Sequence, residues 1–506
     1  MYYADYTYLL TNGKEEKNSF LSESVWGDLN LEDFFHSVNY TSSRIGEQYL
    51  YKLLHSHSPS AFRKYEHIIN KLGTEPKFRS QLIQHLQKLG HSDAYTVASL
   101  FLKPISQASK REMRLLSVCR FIPFFLVGLF LVSQSVYFLY LLLPAIIVNA
   151  VLHYRNKAKI QEYVFSIPQL IRLITVGGKL AEEPLYTETH NNIQDTVNEL
   201  MKLKKSLAFF KLGIRLDSDM TLLIYTIAEL LNILFLTEAY AVNKAFRLLK
   251  DKQSQISEIH HFVGFVDILC SIAMWRKSLP YFCLPRNETG KHGICGEDIY
   301  HPLVENAISN NLNIDSSVII TGSNMSGKTC FIRCMGINLL SAKILNTCFA
   351  KELVIDLEMR LASVIHQADS LTEGKSFFLQ EVELFNELMN LPTHQKHLLL
   401  IDEPFRGTNT LERISITKAV LSELNKRAGL VLVTTHDSEL VELLADEYAS
   451  YYFCESVNNN ILSFDYKLKT GKATERNAIK ILEIYKYPDH VISEAYRLSN
   501  KMNNLL

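Results

Sequence analysis

The sequence predicts an α plus α/β fold class: a mainly α-helical first half, interrupted by an apolar hairpin, and then an α/β domain of the P-loop type. Between Leu29 and about Pro285, apolar residues recur with helical spacing, and Gly and Pro are few. After Asn287, short β-branched runs alternate with helical stretches, which is the pattern of a parallel α/β sheet. The predicted segments are a short N-terminal segment (1–28), a first part of the helical core (29–120), the apolar hairpin (121–154), a second part of the helical core (155–290) and the α/β domain with C-terminal helices (291–506).

The bulk composition is that of a globular protein without an overall attraction to nucleic acid. Of the 506 residues, 47% are hydrophobic, and Lys plus Arg equals Asp plus Glu at 53 each. DNA binding would therefore need a local basic patch. The eight Cys residues show neither a CxxC pair nor a ligand-spaced Cys/His cluster, so we expect no disulfide framework, no zinc site and a reducing cytosolic setting. The first residues lack the features of a secretory signal.

A charge-free run from Phe121 to Tyr154 predicts a membrane hairpin. It contains no Asp, Glu, Lys or Arg, and it is longer than the roughly 20 apolar residues that one spanning helix needs. Basic residues flank it on both sides, which favours a hairpin that turns near Ser133-Gln134-Ser135 and keeps both ends and the α/β domain on the cytoplasmic side of the inner membrane. The alternative is a buried helix pair in a soluble cytoplasmic protein. A second apolar stretch, Thr221 to Thr237, contains Glu229 and is interpreted as a core or interfacial helix.

A short apolar strand, Val318-Ile319-Ile320, leads into a GxxxxGKT loop that is followed by a helical stretch. In this context such a loop binds phosphate, because its backbone N–H groups and the positive end of the helix are directed at the anion. Lys328 is expected to contact the β and γ phosphates of ATP, and Thr329 to ligate Mg²⁺. The residues predicted to surround the nucleotide here are Gly322, Ser323, Asn324, Met325, Ser326, Gly327, Lys328, Thr329 and Cys330. Cys330 and Cys334, four apart on the helix, are interpreted as packing residues rather than a metal or redox pair.

The ends of two further predicted strands carry residues that are candidates for catalysis. The apolar strand Leu398–Ile401 ends in Asp402 and Glu403, where Asp402 is expected to hold the Mg²⁺ shell and Glu403 to polarise the attacking water. Another buried strand precedes His436, which is expected near the γ phosphate as a sensor. Singly, these residues fit an ordinary strand-end cap and a loop histidine. In order after the phosphate loop, they predict one catalytic site made of Lys328, Glu403 and His436.

These motifs together resemble the MutS family of DNA mismatch-repair ATPases. The loop TGSNMSGKT, the acidic strand LLLIDEPFRGTNTLE and the segment VTTHDSEL are similar to the nucleotide-binding elements of that family. Residues 300–303, YHPL, resemble its His-Pro element, and residues 368–378, ADSLTEGKSFF, look like its signature stretch. The resemblance covers Tyr300 to Tyr485, and more weakly DFF (33–35) and TSSRIGEQYL (41–50) at the start of the helical core.

The resemblance implies a Mg²⁺-dependent ATP hydrolase that works as a homodimer. In the family the signature stretch is offered across the dimer, so Ser376 would complete the nucleotide site of the partner in trans. Mismatched or branched DNA is the partner that the resemblance suggests. We expect no counterpart of the mismatch-reading domain and its Phe-x-Glu wedge, because only a short segment precedes the helical core and the one such tripeptide, Phe453-Cys454-Glu455, lies in the α/β half. Asn306-Ala307-Ile308 stands where the family has an aromatic that stacks on adenine, so Ile308 is expected to supply an apolar contact instead.

The expected function is that of a membrane-tethered MutS-like ATPase with a role in mismatch repair or a related DNA process. One alternative is the ATP-binding subunit of a transporter, but THQKHLLLID stands where an LSGGQ-like signature would precede the acidic strand. The other is a nucleotide-dependent scaffold without DNA recognition. The intact Lys328, Thr329, Asp402 and Glu403 favour an active enzyme over that scaffold.

Overall fold

The structure, a computed structural model, falls into two compact units. The described parts of Tyr40–Lys52 and Tyr65–Met274 form a helical unit, and those of Glu16–Asn39, Leu53–Lys64 and Trp275–Leu506 form a sheet unit. The residues that the structure describes are 21–56, 61–102, 109–161, 166–207, 226, 229–287, 293–323, 325–365, 377–458, 461–472 and 478–503.

Most helices of the helical unit outside the apolar hairpin are amphipathic, and α14 is largely apolar on all sides. Five helices that precede the apolar hairpin lie wholly or partly in the helical unit. They are α3 (Arg44–Leu54), α4 (Glu66–Thr74), α5 (Pro76–Leu86), α6 (Ser99–Leu102) and α7 (Lys110–Cys119). The later ones are α10 (Ser166–Leu180), α11 (Pro184–Thr187), α12 (Ile193–Leu207), α13 (Thr237–Lys250) and α14 (Gln253–Trp275). Short 3₁₀ turns cover Gln87–Leu89 and Ser92–Ala98, and another covers Ala61–Tyr65, of which residues 61–64 belong to the sheet unit.

A buried carboxylate fixes the start of α3 against α14. Asp267 of α14 accepts hydrogen bonds from the Ser42 N–H at 2.9 Å, and from the N–H and the hydroxyl of Ser43 at 2.8 and 2.5 Å. A Cβ added at Gly46 would lie 2.2 Å from the Asp267 carboxylate, so only glycine allows this approach. The polar groups at the helix start therefore obtain partners without solvent.

The apolar run forms two helices, α8 (Ile122–Ser133) and α9 (Tyr137–Gln161), with the chain turning between them. Gln134 takes a left-handed conformation with φ 56° and ends α8 at the predicted turn. Many side chains of the pair are exposed: Phe125 by 67% and Val132 by 86%. By length and composition alone, Arg111–Ser133 and Tyr137–Arg155 are able to cross a membrane, and so is α14, although most of α14 is buried inside the protein.

Polar residues of α9 pack on the described part of the second apolar stretch. The Asn149 side chain donates to the Leu234 carbonyl at 2.8 Å, and His153 Nε2 lies 3.1 Å from the Glu229 carboxylate. Asn149 and His153 are four residues apart and so share one face of α9. Glu229 is thus paired, while residues 221–225, 227 and 228 of this stretch lie outside the described residues.

The sheet unit contains the parallel α/β sheet that the sequence texture predicts. Its strands are β1 (Ile294–Ile299), β2 (Asn310–Ile314), β3 (Val318–Thr321), β4 (Glu352–Val354), β5 (Arg360–Val364), β6 (His397–Asp402), β7 (Leu430–Thr435), β8 (Ala449–Tyr452), β9 (Glu455–Asn458), β10 (Ile461–Phe464) and β11 (Lys469–Thr470). Its helices are α1 (Glu23–Asp28), α2 (Leu31–Val38), α15 (Lys328–Leu345), α16 (Phe377–Met389), α17 (Thr410–Arg427), α18 (Ser438–Leu443), α19 (Ala478–Ile484) and α20 (Asp489–Asn503).

The main sheet has the strand order β11-β8-β3-β7-β6-β5. All its neighbours pair in parallel except β11, which runs antiparallel to β8. Strands β6 and β7 are buried along their whole length, as apolar runs covered on both faces are. A smaller antiparallel sheet has the order β2-β1-β4, and β9 pairs with β10. The carboxyl ends of β3, β7 and β6 lie side by side, where open parallel sheets place their ligand sites.

The sequence texture changes near residues 286–292, and the sheet unit also includes earlier segments. Its last segment runs from Trp275, and a separate early segment carries α1 and α2. The Phe34 ring of α2 packs edge-on against Trp275 at 6.3 Å and against Phe349 at 6.0 Å. Asp28 at the end of α1 accepts hydrogen bonds from the Ser363 hydroxyl at 2.7 Å and the Ile365 N–H at 2.9 Å. Helical periodicity showed that these segments have apolar faces but did not show where those faces pack.

Candidate functional site

The loop between β3 and α15 has the backbone that a close approach to an anion requires. Gly322 has φ 149° and Gly327 has φ 105°. A Cβ at Gly322 would also lie 2.7 Å from the Phe453 carbonyl oxygen. Glycine is therefore needed at both positions. Between them, the Ser326 hydroxyl donates to the Ser323 carbonyl at 2.8 Å, which tightens the turn.

Lys328, the first residue of α15, points back into this loop. Its ammonium donates to the carbonyls of Gly322 and Ser323, both at 2.8 Å, and lies 3.9 Å from the Glu403 carboxylate. The side chain is only 4% exposed. Burial lowers the pKa of Lys328 to about 8, although the charges of Glu403 and Asp402 oppose the shift. An incoming anion would find a cation that has few water contacts to lose.

Asp402 at the end of β6 is held from two sides. The Thr329 hydroxyl donates to one of its oxygens at 2.9 Å, and the Thr434 hydroxyl of β7 donates to the other. A hydroxyl and a carboxylate are hard oxygen donors of the kind that Mg²⁺ prefers. Among the described residues, no group of three or more His, Cys, Asp or Glu side chains is arranged to hold a metal. A Mg²⁺ ion at Thr329 and Asp402 would thus share its shell with phosphate and water.

Glu403 follows Asp402 with an unusual backbone, φ 46°, and its N–H donates to the Thr434 carbonyl at 3.0 Å. Its carboxylate is 12% exposed, lies 2.7 Å from His436 Nε2 and also pairs with Arg406. Burial by itself would raise the pKa of Glu403. The hydrogen bond and charge of His436, together with the charges of Arg406 and Lys328, outweigh burial and lower it. The side chain is therefore an ionised proton acceptor at neutral pH.

A cavity of about 960 Å³ joins these groups. Lys328, Thr329 and Glu403 line it, as do Cys330, Met325 and the half-exposed Ile308. An aromatic pair completes the wall: the ring of Tyr466 stacks on Phe464 with centroids 5.8 Å apart, and both residues line the cavity. The volume is that of an ordinary small-molecule site.

Comparisons with known proteins agree with the geometry. The model of the family described as MutS domain V matches residues 318–503. The part of the chain that this model matches is MutS-like. It is similar to the DNA mismatch repair protein MutS of Thermotoga maritima, at 33% identity over 271 residues that make up 49% of this chain and 32% of that protein. For MutS of Clostridium kluyveri the figures are 30% over 285 residues, 52% and 32%, and for MutS of Lactobacillus acidophilus 27% over 281 residues, 53% and 32%. The match thus spans about a third of the length of these relatives.

The structure brings most of the predicted site residues together, in one cavity or in direct hydrogen-bond contact with its wall. His436 Nε2 lies 2.7 Å from the Glu403 carboxylate and 3.4 Å from the Lys328 ammonium. Cys330 and Cys334 both line the cavity, and Cys334 is buried and accepts a contact from Asn338. The predicted residues Asn324 and Ser376 lie outside the described residues.

Sequence reasoning missed three residues of this site. Tyr466 supplies an aromatic ring to the cavity. In the sequence, the aliphatic Ile308 stands before β3 at the position where the MutS family has an aromatic residue. Arg406 pairs with Glu403, and Glu381 of α16 accepts the N–H groups of Arg406 and Gly407 at 3.3 and 3.2 Å. The RGT stretch after the acidic pair was the signal available for Arg406. No spacing pattern pointed to Tyr466 or Glu381.

Proposed function

We propose that this MutS-like chain binds ATP and hydrolyses it with Mg²⁺ at the cavity next to the carboxyl ends of β3 and β6. The observation that carries the proposal is the convergence of a buried ammonium, a hydroxyl held to a carboxylate and an ionised carboxylate on one cavity. Phosphoryl transfer needs positioning and charge stabilisation more than covalent chemistry. These groups supply both.

Each side chain has a role that its contacts support. Lys328 would exchange its loop carbonyl contacts for phosphate oxygens. Thr329 and Asp402 would hold Mg²⁺, which when bound neutralises phosphate charge as a Lewis acid. Glu403 would accept the proton of the attacking water, and His436 orients the Glu403 carboxylate through the contact between them.

The adenine base would lie against Ile308 and Tyr466. Both side chains line the cavity and are partly exposed. The Tyr466 ring lies close to the loop, because a Cβ at Gly327 would be 3.3 Å from its Cδ1 atom. An aromatic ring next to a phosphate loop offers the face on which a purine stacks. The aromatic contact is thus supplied from β10 and the turn after it.

The variant Glu403→Gln separates binding from turnover. It keeps the shape of the side chain and removes its basicity, so it should bind Mg²⁺-ATP and lose turnover by a factor on the order of 10² or more. Glu442→Gln, an exposed change on α18, is the matched control and should leave turnover at the wild-type level. Phosphate release and retention of labelled ATP are the two readouts. Unchanged turnover in Glu403→Gln would remove that residue from its role.

A homodimer with composite sites is the second part of the proposal. Its support is the resemblance of residues 368–378 to the MutS signature stretch. A mixing experiment tests it, since inactive Glu403→Gln and inactive Ser376→Ala chains would form mixed dimers with one intact site if Ser376 acts in trans. Activity that stays absent after mixing, with mixed dimers verified by tags, would place Ser376 in cis, and full activity of the Ser376→Ala chain alone would place it outside the site.

We also propose that residues 121–154 enter the cytoplasmic membrane and leave the sheet unit and the rest of the helical unit in the cytoplasm. The exposed apolar side chains of α8 and α9 support this, since water would surround them otherwise. Wild-type protein should stay with membranes in alkaline carbonate. The double variant Phe125→Lys, Leu143→Lys should be released or degraded, because each charge costs about 2.5–3.5 kcal/mol at a helix centre in the membrane. A wild-type protein that is monodisperse without detergent would contradict the tether.

Duplex DNA that is mismatched or branched is the proposed partner. The support is that the similar proteins are named DNA mismatch repair proteins. Binding should weaken steeply with salt if phosphate contacts drive it. Absence of binding to homoduplex, mismatched and branched DNA at low salt would remove DNA from the proposal and leave the ATPase.

A further inference from the structure

Two cysteines far apart in the sequence lie directly opposite each other in the sheet unit. Cys283 and Cys348 form an antiparallel bridge and exchange both backbone hydrogen bonds, at 3.1 and 2.8 Å. Such a pair has Cα atoms about 5.5 Å apart, inside the usual 4.4–6.8 Å range for disulfide-bonded cysteines. Both are free thiols in this structure.

The two thiols differ in exposure and in pKa, as the two cysteines of a redox-active pair do. The hydrogen bond from Cys348 lowers the pKa of the Cys283 thiol, and the Leu353 N–H and the Arg286 charge add to the effect against the opposing influence of burial. Burial raises the pKa of Cys348, which is fully buried. Cys283 is partly exposed. An accessible thiol of lowered pKa next to a second thiol is the arrangement found in cysteines that respond to oxidants.

We propose that Cys283 and Cys348 are a reversible dithiol–disulfide site that closes when the protein meets a hydroperoxide. The Cys283 thiolate attacks the peroxide O–O bond and becomes a sulfenic acid, while the departing oxygen takes up a proton as water or alcohol. The Cys348 sulfur then displaces the sulfenic oxygen, which leaves as a second water, and the S–S bond forms. The two thiols lose two electrons and the peroxide gains them. A small dithiol reverses the bond by exchange.

The surrounding contacts already hold Cys283 and Cys348 next to each other, so a disulfide would form without a change in the backbone. Arg276 donates to the Asn346 carbonyl at 2.9 Å and to the Thr347 hydroxyl at 3.0 Å, so the chain segments that carry the two cysteines are already held side by side. The closed loop would enclose β3, the phosphate loop and α15. The oxidised sheet unit should therefore unfold at a higher denaturant concentration than the reduced one. The site acts independently of the proposed ATPase, and its test does not depend on ATP.

Tryptic peptides report the bond directly on the full chain. Cleavage after Lys277, Arg286, Lys343 and Lys351 isolates Cys283 in residues 278–286 and Cys348 in residues 344–351. After brief treatment of folded protein with hydrogen peroxide, both free peptides should be lost and a linked pair should appear under non-reducing conditions. Dithiothreitol should restore both. Free peptides that persist while Cys295, the exposed cysteine, is oxidised would overturn the proposal.

Single variants test the order of the two steps. In Cys348→Ser, the sulfenic acid should persist at Cys283 and be captured by dimedone. In Cys283→Ser, dimedone should not capture a sulfenic acid at Cys348, because the Cys348 thiol is buried. Cys295→Ser is the matched control and should form the linked pair as the wild type does. Dimedone capture at Cys348 rather than Cys283 would contradict the assigned roles, and the wild-type linkage keeps the test valid if a variant fails to fold.

Discussion

Raising the pH should weaken ATP binding through one residue, Lys328. Its ammonium is buried and is held by the loop carbonyls of Gly322 and Ser323. Burial lowers its pKa to about 8, against an ordinary value of 10.5. The charged form is the one that binds phosphate, so affinity must fall as the pH rises through that value. An unperturbed lysine would show no such loss below about pH 10.

The size of the effect follows from the fraction of charged Lys328. With a pKa of about 8, roughly nine-tenths of the side chain is charged at pH 7 and roughly one-tenth at pH 9. The apparent Kd scales inversely with that fraction, so it should rise about tenfold between the two pH values, or about 1.4 kcal/mol. Bound phosphate holds Lys328 in its charged form, which means that binding takes up protons in this range.

A fluorescent-nucleotide titration at constant free Mg²⁺ between pH 7 and pH 9 measures this effect. Lys328→Arg is the control, because its guanidinium stays charged throughout. Both proteins meet the same ionisation of ATP, so the ratio of their affinities isolates Lys328. A ratio that does not change with pH would refute the proposal that Lys328 is a buried ammonium with a lowered pKa. This outcome includes the case in which both proteins lose affinity equally.

Three substitutions test the packing of the sheet unit, and tryptophan fluorescence reads its unfolding because Trp26 and Trp275 both lie in it. Gly336→Ala places a Cβ 2.7 Å from a leucine methyl of β6 and should cost about 1–3 kcal/mol of unfolding free energy; a stabilised variant would contradict the close packing. Asn409→Ala removes the side-chain cap of α17 and should cost about 1 kcal/mol, whereas Asn409→Asp, which keeps an acceptor, should cost little. Asp28→Ala leaves a buried N–H at the end of β5 without its acceptor and should cost about 1–3 kcal/mol, with Asp28→Asn losing less.

The sequence predicted the parts of the site that local order specifies. A strand, a glycine loop and a helix define where Lys328 and Thr329 lie, since these residues are adjacent to the glycines that shape the loop. Asp402 ends one buried strand and His436 follows another, and parallel strands bring their carboxyl ends to one edge. The structure places these residues together, while their chemical roles stay predictions.

Contacts between distant segments could not be predicted. Tyr466 reaches the cavity from a turn after β10, and no periodic pattern marks such a turn. The apolar faces of α1 and α2 are visible in the sequence, but periodicity reports a face and not the surface that covers it. Cys283 and Cys348 lack any motif spacing because the fold, and not their order, makes them neighbours. Each of these depends on sheet topology that the sequence pattern leaves open.

A structure of the protein with Mg²⁺ and a non-hydrolysable ATP analogue would test the central claim directly. We expect the triphosphate in the cavity within hydrogen-bonding distance of the Lys328 ammonium, Mg²⁺ in contact with the Thr329 hydroxyl, and Glu403 facing the terminal phosphate. An analogue bound elsewhere, or phosphates that leave Lys328 on its loop carbonyls, would contradict the account.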